Sequence, residues 1–512
     1  MWRRLEERRE PWDILIVGGG ATGAGIAIDA ASRGYATLLL EQSDFGKGTS
    51  SRSTKLVHGG VRYLEQGNLR LVMEALRERG LLLQNAPHLV HNLAFVVPNY
   101  DWWEAPFYGA GLKLYDLLAG KYRFGPSAIL SREETLERLP TIRTDGLRGG
   151  VVYYDGQFDD SRLLIHLVAT AFEQGAALLN YAQVTSLDRG GVRFRDVESG
   201  AGFEAKARVV INATGPFSDA VRRLADPQAE PSIAPSQGIH LVFDRAFLPG
   251  DSAIMVPHTS DGRVMFAIPW HGHTLVGTTD TPISDAALEP AAQEQEIDFI
   301  LETAALYLAK KPSRDDVRSV FAGIRPLAGA GAARTASVSR DHAIRVEDSG
   351  IVTITGGKWT TYRRMAEECV TRAAAVAGLP AVGSATKTLP VHGSHPDARA
   401  FGHLAVYGSD APQIQAIGAP QRLHPELPYT EGEVIWAARA EMARTVEDVL
   451  ARRTRALFLN VRAAIAMAPR VAELMAGELG RDAAWQQEQL AAFRAVAALY
   501  DIAALTAAGN PV

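Results

Sequence analysis

The residues with the clearest chemical capacity form a glycine-rich run, GGGATG at residues 18–23, which fits the spacing GxGxxG. Gly18 permits a tight turn, Gly20 lets a pyrophosphate approach the backbone, and Gly23 lets a helix pack close to a sheet. The free N–H groups at the start of such a helix bind phosphates. Glu41 can accept hydrogen bonds from a ribose diol and would repel a 2′-phosphate, so the pattern predicts FAD or NAD rather than NADP.

A second segment, residues 44–60, is dense in hydroxyls, glycines and cations and has no helical or strand period. Hydroxyl and backbone N–H donors of this kind can wrap phosphates and ring edges. The alternative is a solvated loop.

The elements that position these residues can be read from the apolar pattern. The run ILIV at 14–17 predicts a buried parallel strand, a helix follows from about Ala21 to Ser32, and LLL at 38–40 predicts a second strand that ends at Glu41. This complete strand–helix–strand unit favours a nucleotide site over a glycine-rich turn without a ligand.

Further along, the spacing predicts a helix over residues 69–84, with Leu69, Val72, Met73, Leu76 and Leu83 on one stripe. We expect an antiparallel strand pair at 264–270 and 274–277, and buried strands at 209–211 and 351–354. A linker is expected near 391–396, followed by helices at 431–459 and 471–508.

Composition narrows the class of protein. The chain has 512 residues, 47% hydrophobic and 22% charged, with a formal net charge of −5. These are globular values, and the acidic balance disfavours a general nucleic-acid binder. The one cysteine, Cys369, excludes an internal disulfide and a cysteine-based zinc site.

Several motifs together resemble the FAD-dependent glycerol-3-phosphate dehydrogenases. The first is KLVHGGVRYLE at residues 55–65. The others follow in the order of that family: NATGP at 212–216, GTTD at 277–280, GIRPL at 323–327, SRD at 339–341 and GGKWTTYR at 356–363. Ordered motifs over about residues 12–370 are far more specific than the glycine run alone.

The resemblance implies an α/β fold: a glutathione-reductase-like FAD-binding Rossmann domain, a D-amino-acid-oxidase-like antiparallel-sheet substrate domain and a C-terminal α-helical domain. The oxidoreductase region is placed at 12–390, with FAD-binding parts at 12–75, 150–225 and 335–380 and substrate-binding parts at 76–149 and 226–334. The helical domain is placed at 391–512. The implied reaction is oxidation of sn-glycerol 3-phosphate to dihydroxyacetone phosphate, with electrons passed to membrane quinone.

Taken with the glycine run, the resemblance implies a set of cofactor-binding residues. They are Gly18, Gly20, Ala21, Thr22, Gly23, Glu41, Gln42, Thr49, Ser50, Ser53, Lys55, Leu56, His58, Ala213, Thr214, Gly215, Gly357, Lys358 and Thr360. The substrate-binding candidates are Arg62, Tyr63, Thr278, Arg325, Arg340 and Lys358, and the catalytic candidates are His240, His58, Arg325 and Lys358. No metal site is expected.

The chemistry assigns roles within this set. Arginine suits a phosphate because its planar fork makes paired charge-assisted bonds, and Arg325 lies in an apolar strand where an anionic partner is required. Either His240 or His58 is the base for the hydroxyl proton. Lys358 would place positive charge near the substrate or the reduced flavin.

Location and partners follow from the remaining patterns. We expect a cytoplasmic protein, since no apolar stretch is long enough to span a bilayer and the first ten residues lack a signal core. Aromatic and cationic residues interleave at 102–123, which is typical of a surface that docks on the inner face of the membrane, or of a cover over the substrate domain. A homodimer is expected from the resemblance alone, and Arg452-Arg453-Thr454-Arg455 is interpreted as a solvated or inter-domain face.

Other functions stay open at this point. A soluble oxidase would use oxygen in place of quinone on the same substrate. An amino-acid or amine oxidase of the same fold is disfavoured by the three arginines suited to a phosphate. A non-enzymatic FAD-binding protein would leave the histidine, lysine and arginine candidates unexplained.

Overall fold

The computed structural model describes residues 5, 7–60, 64, 68–257, 259, 263–329 and 341–507. Arg62, Tyr63 and Arg340, three of the predicted substrate-binding residues, lie outside the described residues.

The strands of the described chain form two sheets. In chain order they are β1 (Trp12–Val17), β2 (Thr37–Leu40), β3 (Leu56–Val57), β4 (Val90–Asn99), β5 (Ala128–Leu130), β6 (Gly149–Phe158), β7 (Ala177–Leu179), β8 (Ala182–Asp188), β9 (Gly191–Asp196), β10 (Gly202–Asn212), β11 (Ile233–Asp244), β12 (Ser252–Val256), β13 (Met265–Trp270), β14 (His273–Gly277), β15 (Thr281–Pro282), β16 (Val317–Ala328), β17 (His342–Val346) and β18 (Val352–Gly356).

The helices surround and separate these sheets. They are α1 (Ala21–Ser32), α2 (Leu69–Asn85), α3 (Glu104–Ala119), α4 (Arg132–Arg138), α5 (Asp160–Glu173), α6 (Ser218–Ala225), α7 (Glu294–Tyr307), α8 (Tyr362–Val376), α9 (Ala411–Ala416), α10 (Glu431–Ala440), α11 (Ala456–Leu459), α12 (Val461–Leu479), α13 (Ala483–Ala498) and α14 (Ile502–Ala507). A π-helical turn spans Asp448–Arg453.

The first sheet is largely parallel and carries the glycine-rich turn. Its order is β17-β18-β10-β1-β2-β7, and β8 and β9 extend it beside β10. The residues of β2 are fully buried, and α1, which packs against α5 and α8, is buried almost throughout. A helix that is covered on every side has apolar residues around its whole circumference. This explains why small and apolar residues make up most of α1. The predicted strand–helix–strand unit is confirmed.

The second sheet is mainly antiparallel and follows the order β15-β11-β14-β13-β12-β4-β6-β3, with β16 beside β11 and β5 beside β6. The expected strand pair is present as β13 and β14. Its turn is His271-Gly272, with φ of 45° and 74°. Positive φ at both central residues is what a tight hairpin of two residues requires. His273, placed in the turn by the pattern, belongs to β14 instead.

The C-terminal helices pack against the second sheet. One hydrophobic cluster contains Phe95, Tyr153 and Trp270 from the sheet together with Phe458 and Met467 from the helices. The helical segment expected at 431–459 is present and is divided into α10, the π-helical turn and α11. The predicted linker is closely packed at Val391, whose N–H donates to the Asn85 carbonyl at 2.9 Å.

Helix α2 shows where an apolar stripe misleads. The helix is present, but Leu69 and Met73 are 46% and 52% exposed. The buried face instead includes Glu78 and Arg79, whose charges are neutralised by Arg363 and Asp155. Because those partners are distant in sequence, hydrophobic spacing does not reveal which face of the helix is buried.

Candidate functional site

A cleft of about 410 Å³ opens at the carboxyl end of β1, where the glycine-rich turn leads into α1. Of the predicted cofactor residues, those that line it are Gly18, Gly20, Ala21, Thr22, Glu41, Gln42, Thr49, Ser50, Ala213, Thr214, Gly215, Gly357 and Lys358. Ligands of open α/β sheets bind at this edge, beyond the ends of the strands.

The glycines are required by the geometry of the turn. Gly18 has a φ of 109°, and a Cβ built on Gly23 would lie 1.8 Å from the Gly18 carbonyl oxygen. A Cβ on Gly20 would lie 3.0 Å from Ser50 Oγ and would fill the floor of the cleft. The same Ser50 hydroxyl accepts the Ala21 N–H at 2.9 Å, so residues 44–60 are joined directly to the start of α1.

Glu41 is bonded to the turn itself. Its carboxylate accepts the N–H of Gly19 at 2.7 Å and the N–H of Ser43 at 2.9 Å. Burial raises the pKa of this carboxyl, while the two backbone donors oppose that shift. A carboxylate has about four acceptor sites, so lone pairs remain for a ribose diol.

Two smaller cavities continue the cleft toward the second sheet. One of about 260 Å³ shares Thr49, Gly357 and Lys358 with the cleft. It is lined further by Ser53, Leu56, His58, His240 and Thr360. The other, of about 200 Å³, shares Thr54, Leu56, His58, Phe266 and Arg325 with the first and adds Thr278. We call these two together the inner cavity.

His240 lies on β11, is 2% exposed and stacks on Phe321 with ring centroids 4.9 Å apart. One ring nitrogen, Nε2, is 2.9 Å from Thr54 Oγ1. The other, Nδ1, has no hydrogen-bond partner among the described residues. Burial, followed by the charges of Lys55 and Arg325, lowers the pKa of His240 well below its usual value. The imidazole is therefore neutral and able to accept a proton.

Arg325 lies on β16 and reaches across β11 toward residues 278–280. Its guanidinium donates to Thr278 Oγ1 at 3.2 Å and to the Thr279 carbonyl at 3.1 Å, and it lies 3.4 Å from the Asp280 carboxylate. The side chain is 23% exposed, on the surface of the inner cavity. An arginine held in this way presents a fixed fork to a planar or tetrahedral anion.

His58 stands where the two parts of the inner cavity meet. Its N–H donates to Thr360 Oγ1 at 3.2 Å, and the next N–H, that of Gly59, donates to Tyr115 Oη at 2.8 Å. Tyr115 Oη in turn donates to Asp155 at 2.7 Å. The backbone beside His58 is thereby fixed by a buried network from α3 and β6.

Lys55 differs from the other predicted cofactor residues. Its ammonium is fully buried and donates to Asp160 at 2.7 Å and to the Ser51 carbonyl at 2.9 Å. These acceptors hold the ammonium group, and Lys55 does not line the cleft or the inner cavity. Its contact with the cofactor stays a prediction. Burial lowers the pKa of Lys55 to about 7, against the opposing charge of Asp160.

Sequence reasoning missed several polar residues of the inner cavity, among them Thr54, Arg263 and Asp280. Arg263 lies two residues before the apolar strand β13, a position typical of many surface cations. Asp280 is the last residue of the quoted GTTD motif, and Ser236 Oγ donates to its carboxylate. The nearest signal was that motif, which placed an acid two residues after Thr278.

These residues fit a dinucleotide cofactor. The cradle at Gly20 is the space that a pyrophosphate needs. His240, whose buried Nδ1 has no hydrogen-bond partner among the described residues, lines the inner cavity. Among the described residues, no group of three or more His, Cys, Asp or Glu side chains would hold a metal ion.

Comparison with known families identifies the class. The profile of the family described as FAD dependent oxidoreductase matches residues 13–363, and that of the C-terminal domain of alpha-glycerophosphate oxidase matches residues 351–488. The chain belongs to the FAD-dependent oxidoreductase family, and its predicted cofactor, FAD, and its predicted α/β fold class are confirmed.

Individual relatives show which group of FAD-dependent oxidoreductases the chain belongs to. The mitochondrial glycerol-3-phosphate dehydrogenases of Arabidopsis thaliana and Homo sapiens are each 42% identical over 94% of this chain, which covers 85% and 72% of their lengths. The crystal structure of the Bacillus halodurans glycerol-3-phosphate dehydrogenase with FAD is 30% identical and superimposes with a TM-score of 0.78, over 97% of this chain and 96% of that one. Within the wider family, the chain therefore belongs to the glycerol-3-phosphate dehydrogenases, as the motifs predicted.

Proposed function

We propose that the protein oxidises sn-glycerol 3-phosphate to dihydroxyacetone phosphate and passes the electrons to a membrane quinone. The observation that carries this proposal is the continuity of the dinucleotide cleft with an inner cavity in which His240 and Arg325 both lie. A hydride acceptor, a proton acceptor and an anion-binding cation are the groups that this oxidation needs. The names of the relatives support the choice of substrate.

The phosphate end of the substrate is assigned to Arg325, with Thr278 as its hydrogen-bond partner. Arg62, Tyr63 and Arg340 are proposed to complete this subsite. The guanidinium also lies 3.4 Å from Asp280, so a dianion would share Arg325 with that carboxylate. Charge-assisted bonds from a fixed fork orient the phosphate, and the three-carbon chain is then aligned toward His240.

His240 is the base in this proposal. Its imidazole is neutral and lines the inner cavity, where it would take the proton of the C2 hydroxyl, while Thr54 contacts Nε2 and orients the ring. FAD, when bound, supplies the acceptor for the hydride from C2. Lys358, which lines both the cleft and the inner cavity, stabilises negative charge that develops there. His58 is proposed to orient the substrate from the opposite wall.

Anaerobic reduction tests the reaction. Purified holoprotein mixed with sn-glycerol 3-phosphate should lose its flavin absorption near 450 nm, whereas glycerol and D-alanine should leave it unchanged. Glycerol lacks the phosphate that Arg325 binds, and D-alanine tests the amino-acid oxidase alternative. Persistent absorption with glycerol 3-phosphate would reject the substrate.

The exposed apolar residues of helix α3 are the observation that supports membrane quinone as the electron acceptor. The exposed residues of this helix and its N-terminal flank include Trp102 at 77%, Trp103 at 44%, Phe107 at 53%, Leu114 at 42% and Leu117 at 75%. Trp103, Phe107, Leu114 and Leu117 follow the three-and-four spacing of a single helix face. In the described part of the chain, no helix is long and apolar enough to cross a membrane.

The cations beside the exposed apolar face of α3 favour an anionic lipid surface as its binding partner. Lys113, Lys121 and Arg123 are exposed beside the apolar stripe, a composition that suits the headgroups of anionic lipids. The opposite face of α3 carries Tyr115, which binds the backbone beside His58. A docked helix would therefore separate the inner cavity from the lipid surface by about 10 Å, the diameter of one helix. That placement fits a peripheral protein on the inner face of the membrane that reduces quinone.

Vesicle binding and acceptor choice test this part together. The variant Phe107→Glu/Leu117→Glu should lose sedimentation with vesicles that contain anionic lipid and should reduce vesicle-embedded quinone slowly, while it keeps full activity with a water-soluble dye. Leu306→Glu is the matched control, since Leu306 is 56% exposed on another helix.

Oxygen consumption as fast as quinone reduction would instead identify an oxidase, the alternative suggested by the glycerophosphate oxidase profile of the C-terminal part. The predicted homodimer stays a prediction that sedimentation velocity tests.

A further inference from the structure

Three arginines of the C-terminal part are among the most buried charged residues of the described chain. The side chains of Arg452, Arg453 and Arg455 are at most 2% exposed. We call these three residues the arginine clamp. The sequence interpretation of a solvated face is wrong for them, and the alternative of an inter-domain face is correct.

The first anchor of the clamp is Asp44, at the start of the loop that lines the dinucleotide cleft. Arg453 donates two hydrogen bonds to its carboxylate, at 2.7 and 2.9 Å, and Arg452 donates a third through Nε. Burial would raise the pKa of Asp44, but the charges of Arg453 and Arg452 outweigh it and lower the pKa to about 2. Asp44 is therefore ionised at neutral pH.

The second anchor lies at the other end of the same loop. Arg455 donates to the Ser51 carbonyl at 2.7 Å and to Asp160 at 3.2 Å. Asp160 also accepts Lys55 Nζ at 2.7 Å and the Ser53 N–H at 3.0 Å. The C-terminal arginines thus hold residues 44–55 at both ends.

Between the anchors lie the residues that face the cofactor and the substrate. Lys47, Thr49 and Ser50 line the cleft, and Ser50 is bonded to the first N–H of α1. Thr54, one residue beyond Ser53, is the partner of His240. A shift of this loop would therefore move both the cofactor cradle and the proposed base.

The free-energy cost of burying charges indicates whether the arginine clamp serves stability or geometry. Burying several charges costs desolvation energy, and apolar residues of similar size often give equal or greater stability. Directional ion pairs, in contrast, specify one geometry for the two segments that they join. We propose that the arginine clamp positions the loop 44–55 for cofactor binding, so that the C-terminal helical domain contributes to retention of FAD.

Titration of apoprotein with FAD, read by quenching of flavin fluorescence, tests the proposal without any use of activity. Arg453→Met should weaken FAD binding at least about tenfold, equivalent to a loss of about 1.4 kcal/mol. It should also destabilise the apoprotein, because the buried Asp44 carboxylate loses two of its hydrogen bonds and keeps only the one from Arg452. The double variant Arg453→Met/Asp44→Asn removes the charge that has lost those bonds. It should recover stability to urea while FAD binding stays about tenfold weaker.

The control breaks a buried ion pair at the far end of α1. Arg33 and Asp29 lie 2.5 Å apart with side chains 3% and 0% exposed, about 18 Å along the helix from the glycine-rich turn. Arg33→Met should lower stability and leave the dissociation constant of FAD unchanged. The proposal is overturned if FAD affinity recovers together with stability in the double variant, or if Arg33→Met weakens FAD as much as Arg453→Met.

Arg453→Lys covers the case in which Arg453→Met does not fold. A lysine keeps the charge but loses the fork that grips both oxygens of Asp44. We expect folded protein with weaker FAD binding and faster hydrogen exchange of residues 44–55. Parental FAD affinity in a folded Arg453→Lys protein would contradict the proposal.

Discussion

The dinucleotide cleft and the inner cavity are built in opposite ways. The part of the cleft that would hold the pyrophosphate is backbone from one contiguous run, residues 18–23, and Glu41, which also lines the cleft, is bonded to that same turn. The inner cavity is made of side chains from strands that are far apart in sequence, among them His240 on β11 and Arg325 on β16. A contiguous turn defines a site by local conformation, whereas the inner cavity depends on the register of a sheet.

That register explains the small residues of the second sheet. His240 is paired with Gly277 on β14 and with Phe321 on β16. A Cβ on Gly277 would lie 2.4 Å from the His240 ring, and one on Gly238 would lie 2.5 Å from Arg325 Nη2. Gly20 in the cleft leaves room for a ligand, whereas Gly277 and Gly238 make room for the side chains of the inner cavity that would bind one.

The largest expected effect falls on the inner cavity. His240→Gln should lower kcat for glycerol 3-phosphate by on the order of 10²–10⁴, the usual contribution of a general base, with FAD still bound. Steady-state kinetics and the flavin spectrum measure the two effects. A variant with normal kcat would transfer the role of base to His58.

The pH dependence of the rate gives a second test of His240 as the base. The folded pKa of His240 is lowered by burial and by two nearby cations, so its neutral form persists below the ordinary histidine value of about 6.5. We expect log kcat at saturating substrate to stay level as pH falls through 6.5, because kcat does not report the ionisation of the free substrate's phosphate. Folding stability should fall below that pH, because the unfolded histidine then binds a proton that the folded one does not. An acid limb centred near 6.5 would point to another base.

The next effect concerns binding. Arg325→Ala should raise KM by on the order of 10²–10⁴, because about two charge-assisted bonds at 1.5–3 kcal/mol each are lost. FAD affinity should not change. Arg318→Ala is the control on the same strand, since its side chain is 41% exposed and pairs at the surface with Asp244. An unchanged KM would remove Arg325 from the phosphate subsite.

The same contrast explains what sequence could predict. The glycine run, the flanking strands and Glu41 were readable because all the groups that define the turn are near in sequence. His240 and Arg325 stood out as polar residues in apolar strands, and the motifs of the family supplied their roles. The arginine clamp was not readable, because Arg453 and its partner Asp44 are 409 residues apart. Nothing in local spacing indicates which distant carboxylate an arginine will meet, and the same holds for Glu78 and Arg363.

A smaller effect is expected in the cleft. Gly20→Ala should weaken FAD binding about tenfold by placing a methyl group in the pyrophosphate cradle, 3.0 Å from Ser50 Oγ. The matched control is Gly477→Ala on the exposed face of α12, where nothing lies within 4 Å of an added Cβ. That change should raise the free energy of unfolding by about 0.5–1 kcal/mol and leave FAD binding unaltered. Equal FAD affinities for the two variants would show that the cradle is not the pyrophosphate site.

The smallest effect on KM is expected from Thr278, the hydrogen-bond partner of Arg325 in the phosphate subsite. Thr278→Val keeps the shape of the side chain but removes the hydroxyl that accepts from Arg325 at 3.2 Å. Because the guanidinium keeps its bond to the Thr279 carbonyl at 3.1 Å, the fork should stay in place. We expect KM to rise only about two- to tenfold, because the charged group that binds the phosphate is kept and only about 0.5–1.5 kcal/mol of its positioning is lost. A rise as large as that of Arg325→Ala would mean that the hydroxyl, rather than the backbone carbonyl, determines where Arg325 points.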